Sequence, residues 1–148
     1  MREILFRAKR KSDGKWVEGY LVPILYDTRP TGYEIINKDG INYDELDYYQ
    51  PNFVSEMVEP ETISQYTGLC DKNGRKIWEN DIVTKNNRFG KVVYGEKNCE
   101  CCNGVYGWTF EHIGRYSTVV DIREQNTVEV VGNIFDNEEF LNISDEVE

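Results

Sequence analysis

The sequence predicts a mainly β protein made of short antiparallel strands, on three observations. Aromatic residues make up 13% of the 148-residue chain, ten of them Tyr, within a hydrophobic total of 39%, and aromatic side chains are enriched in strands. Twelve Gly against four Pro suit many tight turns. Roughly eight to ten short stretches of alternating polarity lie between turn-forming residues, which is typical of all-β architectures.

The first element predicted is a hairpin. Residues 2–9 alternate and place Ile4, Phe6 and Ala8 on one face, residues 12–15 form the turn, and residues 16–22 return. Pro23 either ends this hairpin or marks a sheet edge, because proline cannot donate to a strand ladder.

A loop is predicted over 28–32, followed by a second hairpin with strands 33–37 and 41–43 around a turn at 38–40. Residues 44–49 are compatible with one helical turn or with a loop. Residues 53–58 read as a strand that ends before Pro60.

The densest turn chemistry lies in residues 60–83. Residues 71–74 form a turn candidate in which Asn73 and Gly74 both tolerate positive φ. A second reversal at 79–81 leads into the β-branched run 82–84, and Trp78 is predicted to lie in a core or at its mouth. Turn chemistry alone explains these residues, so we favour a role in hairpin geometry over a binding role.

The remaining residues continue the β pattern. Strands are predicted at 89–94, 105–110, 119–122 and 128–131, and a last helical turn at 138–141, capped by Asp136, precedes an acidic tail. Tyr106, Trp108 and Phe110 alternate along one face, which must be buried or bind something. We predict two units, residues 1–58 and 59–148, and a five-stranded SH3-like barrel as the natural closure of the second.

Three parts of the sequence resemble the YopX family, small proteins of unknown activity carried by bacteriophages and prophages. They are the block 60–83, an opening formed by 3–9 and the Trp16-x-x-Gly19-Tyr20 element, and the closing segment 128–137. The resemblance implies the same kind of small barrel. Asn80 stands where the family usually has Gly, which predicts either a left-handed backbone or a tight turn there, both of which Asn tolerates. Residues 28–53 and 96–116 match nothing in the family pattern.

Charge and hydropathy restrict the partners and the location. With 17 Lys and Arg against 27 Asp and Glu, the formal charge is −10, which disfavours nucleic acid because phosphate neutralisation supplies most of that affinity. The first strand and turn are basic and could meet a phosphate or an acidic protein face; alternatively, their cations protect an edge strand from aggregation. The basic residues are Arg2, Arg7, Lys9, Arg10, Lys11 and Lys15. No signal peptide or membrane span is found, so we expect a cytoplasmic protein with reduced cysteines.

The sequence contains one cluster of potential metal ligands: Cys99, Cys101 and Cys102, with His112 downstream and Cys70 upstream. Their C-x-C-C spacing departs from the knuckles of zinc sites, so packed or solvent-near thiols are favoured and a structural role is expected for His112. No nucleophile elbow, HExxH, P-loop or dinucleotide motif is present. Acidic residues such as Glu56, Glu59, Glu61, Glu79 and Asp81 are what a −10 chain is expected to carry. We therefore predict no catalytic residues, cofactor or metal.

Three functions remain compatible with the sequence. The favoured hypothesis is a module that binds a protein partner or itself through an aromatic β surface such as Tyr106 and Trp108, since Tyr and Trp often anchor such contacts. The alternatives are a nucleic-acid accessory protein with an aromatic barrel face, and an enzyme, for which no site is assembled. The oligomeric state and the partner are not encoded in any recognisable motif.

Overall fold

A computed structural model describes residues 3–37, 55–99, 102–113, 119–121 and 126–142. Within these, the side chains at 96–99, 102–106, 112 and 119–121 are not described. The described part contains eleven strands, and its 3₁₀ turns include Pro60–Thr62 and Glu138–Asn142. The mainly β, antiparallel prediction is confirmed. The strands are β1 (Phe6–Lys9), β2 (Trp16–Tyr26), β3 (Arg29–Asn37), β4 (Ser55–Met57), β5 (Ser64–Cys70), β6 (Lys76–Trp78), β7 (Asp81–Lys85), β8 (Arg88–Cys99), β9 (Cys102–His112), β10 (Val119–Asp121) and β11 (Glu129–Asn133).

The chain divides into two compact units, Met1–Tyr66 and Thr67–Glu148. Strand β5 crosses this division, because its first residues pair with β1 and its later residues lie beside β6. The predicted boundary between residues 58 and 59 stays a prediction, since compactness alone does not test which piece folds independently. Nowhere in the described ranges is there a helix with the length and hydropathy needed to cross a bilayer.

The first unit is an antiparallel sheet with the order β4-β3-β2-β1-β5. The predicted hairpin of β1 and β2 is confirmed, with Lys9 opposite Trp16. One face of the sheet carries the core, in which Ala8, Ile35 and Val58 are fully buried. The side chains that pack against these three are Phe6, Val17, Leu21, Tyr33 and Ile63.

Strand β1 starts later than predicted, and its first apolar residue is not part of the core. Ile4 precedes the strand and is exposed, whereas Leu5 is buried. The carbonyl of Leu5 accepts a hydrogen bond from the Tyr66 N–H at 2.8 Å. The expected face of Ile4, Phe6 and Ala8 is therefore wrong at Ile4, because the alternation holds only from Phe6 onward.

The hairpin of β2 and β3 is longer than predicted. The loop expected at 28–32 is wrong, since β3 already begins at Arg29. Pro23 lies within β2 and marks an edge: past Gly19 this strand pairs with β3 and no longer with β1, so the missing N–H of proline disturbs no second ladder. The second predicted hairpin beyond Asn37 and the ambiguous stretch 44–49 lie outside the described residues.

The second unit contains a five-stranded antiparallel sheet with the order β10-β9-β8-β7-β11. Its core is apolar and includes the signature residue Ile77 together with residues of β7, β8, β9 and β11. The buried cluster consists of Ile77, Val83, Val92, Trp108, Phe110, Val128 and Val130. Among the described strands the sheet begins at β10 and ends at β11, and no closed barrel is found.

The predicted C-terminal turn is present as a 3₁₀ turn over Glu138–Asn142. Phe140 in this turn packs against Phe89 of β8, with ring centroids 5.0 Å apart. The turn therefore contacts the sheet through an aromatic pair, a geometry that adds about 0.5–1.5 kcal/mol beyond area burial.

Candidate functional site

The turn that follows β5 is held by a buried carboxylate. Asp71 is 4% exposed, and its Oδ1 accepts hydrogen bonds from the backbone N–H groups of Asn73 and Arg75, each at 2.9 Å. Its Oδ2 accepts from the N–H of Val130 in β11, also at 2.9 Å. One side chain therefore closes the predicted turn at 71–74 and fastens it to a distant strand.

The electrostatics of Asp71 agree with this geometry. Burial alone would raise the pKa of the carboxyl group, but the N–H donors of Val130, Arg75 and Asn73, with the charge of Arg75, hold that pKa below its ordinary value. The guanidinium of Arg75 donates to the Val130 carbonyl at 3.1 Å. The carboxylate is thus stabilised in its charged form by groups that hold the turn.

The second reversal of the signature block is built in the same way. Asn80 has φ of 65°, so the left-handed backbone, one of the two alternatives predicted where the family usually has Gly, is present. Oδ2 of the buried Asp81 accepts a hydrogen bond from the Trp78 N–H at 2.8 Å. The backbone of Asn80 bonds in both directions, donating to Val92 at 2.9 Å and accepting from Ile134 at 3.0 Å.

In the closing segment, residues 128–137, amide side chains rather than carboxylates accept hydrogen bonds from backbone N–H groups. Oδ1 of the buried Asn133 accepts from the N–H groups of Phe135 and Asp136, both at 3.0 Å. Oδ1 of Asn137 accepts from the Asn133 N–H at 3.2 Å. A Cβ at Gly132 would collide with the Asn137 side chain. The polar residues that carry the family resemblance are therefore engaged in turn geometry, which favours that interpretation over a reaction centre.

The aromatic face of β9 is largely core. Trp108 is 8% exposed, and Phe110 is buried in the same cluster. Tyr94 of β8 is 65% exposed and packs edge-on against Trp108, with ring centroids 4.9 Å apart. The question left open by the sequence is thus answered for two residues: Trp108 and Phe110 are core residues. The Tyr106 side chain lies outside the described part.

The cysteine cluster falls largely outside the described residues. Cys99 and Cys102 are described only as backbone of β8 and β9, Cys101 is not described, and the side chain of His112 is likewise outside. Cys70 on β5 is half-buried. Over the part of the chain whose side chains are placed, no group of three or more His, Cys, Asp or Glu residues could hold a metal ion.

The basic first strand is not an edge. Strand β1 lies between β2 and β5, so the interpretation that its cations protect an edge strand is wrong. The Arg7 guanidinium carbon and the Lys9 Nζ lie 4.7 Å and 5.5 Å from the ring centroid of Trp16. These are cation–π distances, and they place two of the cations around one indole ring.

The Arg10 side chain is committed to local ion pairs. Its Nε and Nη2 donate to the two carboxylate oxygens of Asp13 at 3.0 Å and 2.6 Å, and Nη1 donates to Glu56 at 3.4 Å. The bond to Asp13 raises the pKa of Arg10. The N–H of Lys15 lowers the pKa of Asp13. Lys11 and Lys15 are exposed, and Arg2 lies outside the described residues.

A surface that the sequence reasoning missed is the distal end of the β2–β3 hairpin. We call residues 24–31 the hairpin tip. Leu25 is 60% exposed and Tyr26 is 77% exposed, and they lie opposite Pro30 and Arg29. The two-residue turn between the strands holds Asp27 and Thr28 at φ of 47° and 68°. Such a turn matches the twist of paired strands but normally uses Asn and Gly.

Apolar residues continue from the tip along the face of the hairpin that points away from the core. Tyr20 lies opposite Ile36, and Val22 opposite Glu34, which in turn faces Met57 of β4. Directly opposed residues share one face of a sheet, whereas the core residue Ile35 points to the other. Tyr20 and Met57 are exposed. We call Tyr20, Val22, Ile24 and Met57 the outer strip.

Sequence reasoning missed the tip because Thr28 and Pro30 suggest a loop. The available signal was the apolar run Ile24-Leu25-Tyr26 immediately before Asp27, which can extend a strand up to a tight turn. Exposure of that run could not be read from the sequence, since Leu5, of the same residue type as Leu25, is buried.

Comparison with known proteins gives a family match and likenesses to three solved chains. The family model described as YopX protein matches residues 5–142. No curated protein matches the chain. The crystal structure of protein EF1440 from Enterococcus faecalis is similar with a TM-score of 0.52 and 22% identity, covering 95% of this chain and 99% of that one. At this identity the likeness concerns the fold alone.

Proposed function

The chain belongs to the YopX family, and on that premise we propose that it is a phage- or prophage-encoded accessory protein that works by binding a protein partner. The proposal includes a location in the bacterial cytoplasm and a role that is not catalytic. The binding surface we assign is the hairpin tip together with the outer strip.

The observation that carries this proposal is the exposure of Leu25 and Tyr26 at the end of a hydrogen-bonded hairpin, just past an irregularity in its register between Ile24 and Leu25. Exposed apolar groups that gather in one place mark interaction sites more often than scattered ones do. Tyr is among the residue types that carry most of the binding energy in protein interfaces. The strand pairing fixes the backbone that carries these side chains, so little backbone order has to be gained on binding.

The non-catalytic part of the proposal is supported by how the signature carboxylates are engaged. Asp71 and Asp81 are buried and accept hydrogen bonds from backbone N–H groups. The lowered pKa of Asp71 suits a structural carboxylate rather than a general acid, which needs a raised value. Both groups are therefore better explained by stability than by proton transfer.

Site-specific cross-linking tests the surface. A photoreactive phenylalanine analogue placed at Tyr26 should capture one specific protein, either from the bacterial host or a second copy of this chain, whereas the same group at the exposed Tyr94 of the second unit should not. The captured protein is then purified and titrated against the chain. Tyr26→Ser should weaken binding at least 10-fold, the scale of an interface anchor, and Tyr94→Ser should leave it unchanged. Equal affinities for both variants would overturn the assignment.

Nucleic-acid binding is the alternative function, and one observation favours it. Trp16 carries two cations within 6 Å of its ring centroid, and a base can stack on such a ring. In this alternative the second unit closes as the SH3-like barrel that the family resemblance implies. Single-stranded DNA should then bind at low salt, release steeply as salt rises and depend on Trp16. Absence of binding at low salt would remove this alternative.

A further inference from the structure

We propose that the partner at the hairpin tip is a second copy of this chain, bound across a two-fold axis, with Asp27 of each protomer facing Arg29 of the other. This inference rests on the proposed function, because it takes the hairpin tip as the binding surface and names its occupant.

Charge singles out the tip as a place where two copies can meet. Each chain carries a formal charge of −10, so two copies repel unless the patch in contact is itself not acidic. Residues 24–31 contain one acidic and one basic residue, Asp27 and Arg29. The tip is therefore locally neutral on an anionic protein.

Four of the other exposed hydrophobic residues of the described part, including Met57 of the outer strip, have more acidic surroundings or a structural role, so the two-fold axis is placed at the tip. Met57 directly follows Glu56 and stands two positions before Glu59. Leu141 follows Glu138 and Glu139 in the same 3₁₀ turn. Ile4 follows Glu3 directly, and Tyr94 is engaged by the Trp108 ring. A symmetric contact centred on any of the acidic positions would bring like charges together, which costs affinity.

The hairpin register supplies the self-complementary arrangement. Arg29 lies directly opposite Tyr26, and Asp27 follows Tyr26 at the turn. The acid and the base thus both lie next to the exposed Tyr26 ring at the hairpin end, one beside it in the chain and one opposite it. In a two-fold contact residue i meets j and j meets i, so a single Asp and a single Arg form two ion pairs, while Leu25 and Tyr26 supply the apolar contact.

The size of the surface sets the expected strength. The tip and the outer strip hold fewer residues than the about 20–30 per side of a standard interface. We therefore expect a reversible dimer with a dissociation constant of roughly 1–100 μM. Its stability should fall with rising salt, because the ion pairs lie at an exposed surface.

Charge reversal tests the two-fold pairing. Sedimentation equilibrium is measured on the full chain for the wild type, Asp27→Arg, Arg29→Asp, and an equimolar mixture of the two variants. Each variant alone opposes like charges across the axis and should dimerise at least 10-fold more weakly than the wild type. In the mixed dimer the two substituted side chains face each other with opposite charges, and so do the two unchanged ones. Association of the mixture should therefore return to within about 3-fold of the wild type.

Two controls keep the test decisive. Circular dichroism verifies that each variant is folded, and Arg29→Asp leaves the left-handed turn residues unchanged. Tyr26→Ser removes the apolar contact and should stay weakened in every mixture. If the variants dimerise as tightly as the wild type, or if the mixture does not recover, the pairing is wrong.

The two proposals fail in different ways. Self-association is overturned if the wild-type chain stays monomeric at several times the highest dissociation constant expected, about 100 μM. If Tyr26 then still captures a host protein, the proposed function stands with another partner. If the chain is monomeric and Tyr26 captures nothing, both are overturned.

Discussion

Replacing Asp71 by Asn tests whether one carboxylate holds the signature turn against β11. Asn keeps a single acceptor oxygen, so the hydrogen bonds from the N–H groups of Asn73 and Arg75 persist. Their acceptor is then neutral instead of charged, which weakens each bond by about 1 kcal/mol. The new amide group stands where Oδ2 accepted from Val130. That buried N–H then lacks an acceptor, which costs about 1–3 kcal/mol. We expect the free energy of unfolding to fall by about 3–5 kcal/mol.

The loss is measured by urea unfolding followed through tryptophan fluorescence, in a Trp16→Phe background so that the signal comes from the second unit. With a slope of about 2 kcal/mol/M the midpoint should fall by about 1.5–2.5 M. Glu61→Gln removes an exposed carboxylate and should change the midpoint by less than about 0.3 M. A loss below about 1 kcal/mol for Asp71→Asn would refute the reasoning.

The stability lost in Asp71→Asn should depend on pH. The folded pKa of Asp71 lies below its ordinary value, so its contribution to stability is complete above the unfolded pKa of about 3.9 and is lost as pH falls through the folded pKa. The difference between the wild type and Asp71→Asn should thus be constant from about pH 8 to pH 5 and shrink below about pH 4. A difference that grows in acid would contradict the lowered pKa.

Three further substitutions test packing and backbone. Thr109→Val should leave stability unchanged or raise it by up to about 1 kcal/mol, because the buried hydroxyl has no hydrogen-bond partner in the described structure; a loss above about 1 kcal/mol in urea unfolding would show a missed partner. Thr28→Gly should raise the free energy of unfolding by about 0.5–1 kcal/mol, since it relieves a β-branched residue at φ of 68°; a decrease in the urea midpoint would contradict this. Gly132→Ala should cost about 1–3 kcal/mol because its Cβ meets the Asn137 side chain. In the double variant with Asn137→Ala the cost should be less than additive, and full additivity would argue against the contact.

Sequence reasoning succeeded where local chemistry decides the structure. The hairpin of β1 and β2, the turn at 71–74 and the left-handed backbone at Asn80 were all predictable. In each case a residue that tolerates positive φ stands in the turn, such as Gly14 and Gly74 with φ of 70° and 80°. The polar partners could not be predicted, because the bond from Val130 to Asp71 joins residues 59 positions apart.

It failed where strand pairing or exposure depends on distant segments. The neighbours of β1 were missed because β5 comes far later in the chain, so a basic central strand was taken for an edge. The end of β2 was missed because Asp27 and Thr28 lack the Asn-Gly signature of such turns. The candidate site was missed for the same reason, since Leu25 and Tyr26 differ from core residues only in where the sheet places them.

A strand with a role in two compact units limits how this protein can be divided. A truncated gene product that ends at Tyr66 would break β5 in the middle, and one that ends at Val58 would strip β1 of a neighbour and expose its hydrogen-bonding groups. Moving either half alone into another protein would leave a strand with unpaired backbone N–H and C=O groups. When related genes recombine, we therefore expect the segment Ser64–Cys70 to be exchanged intact.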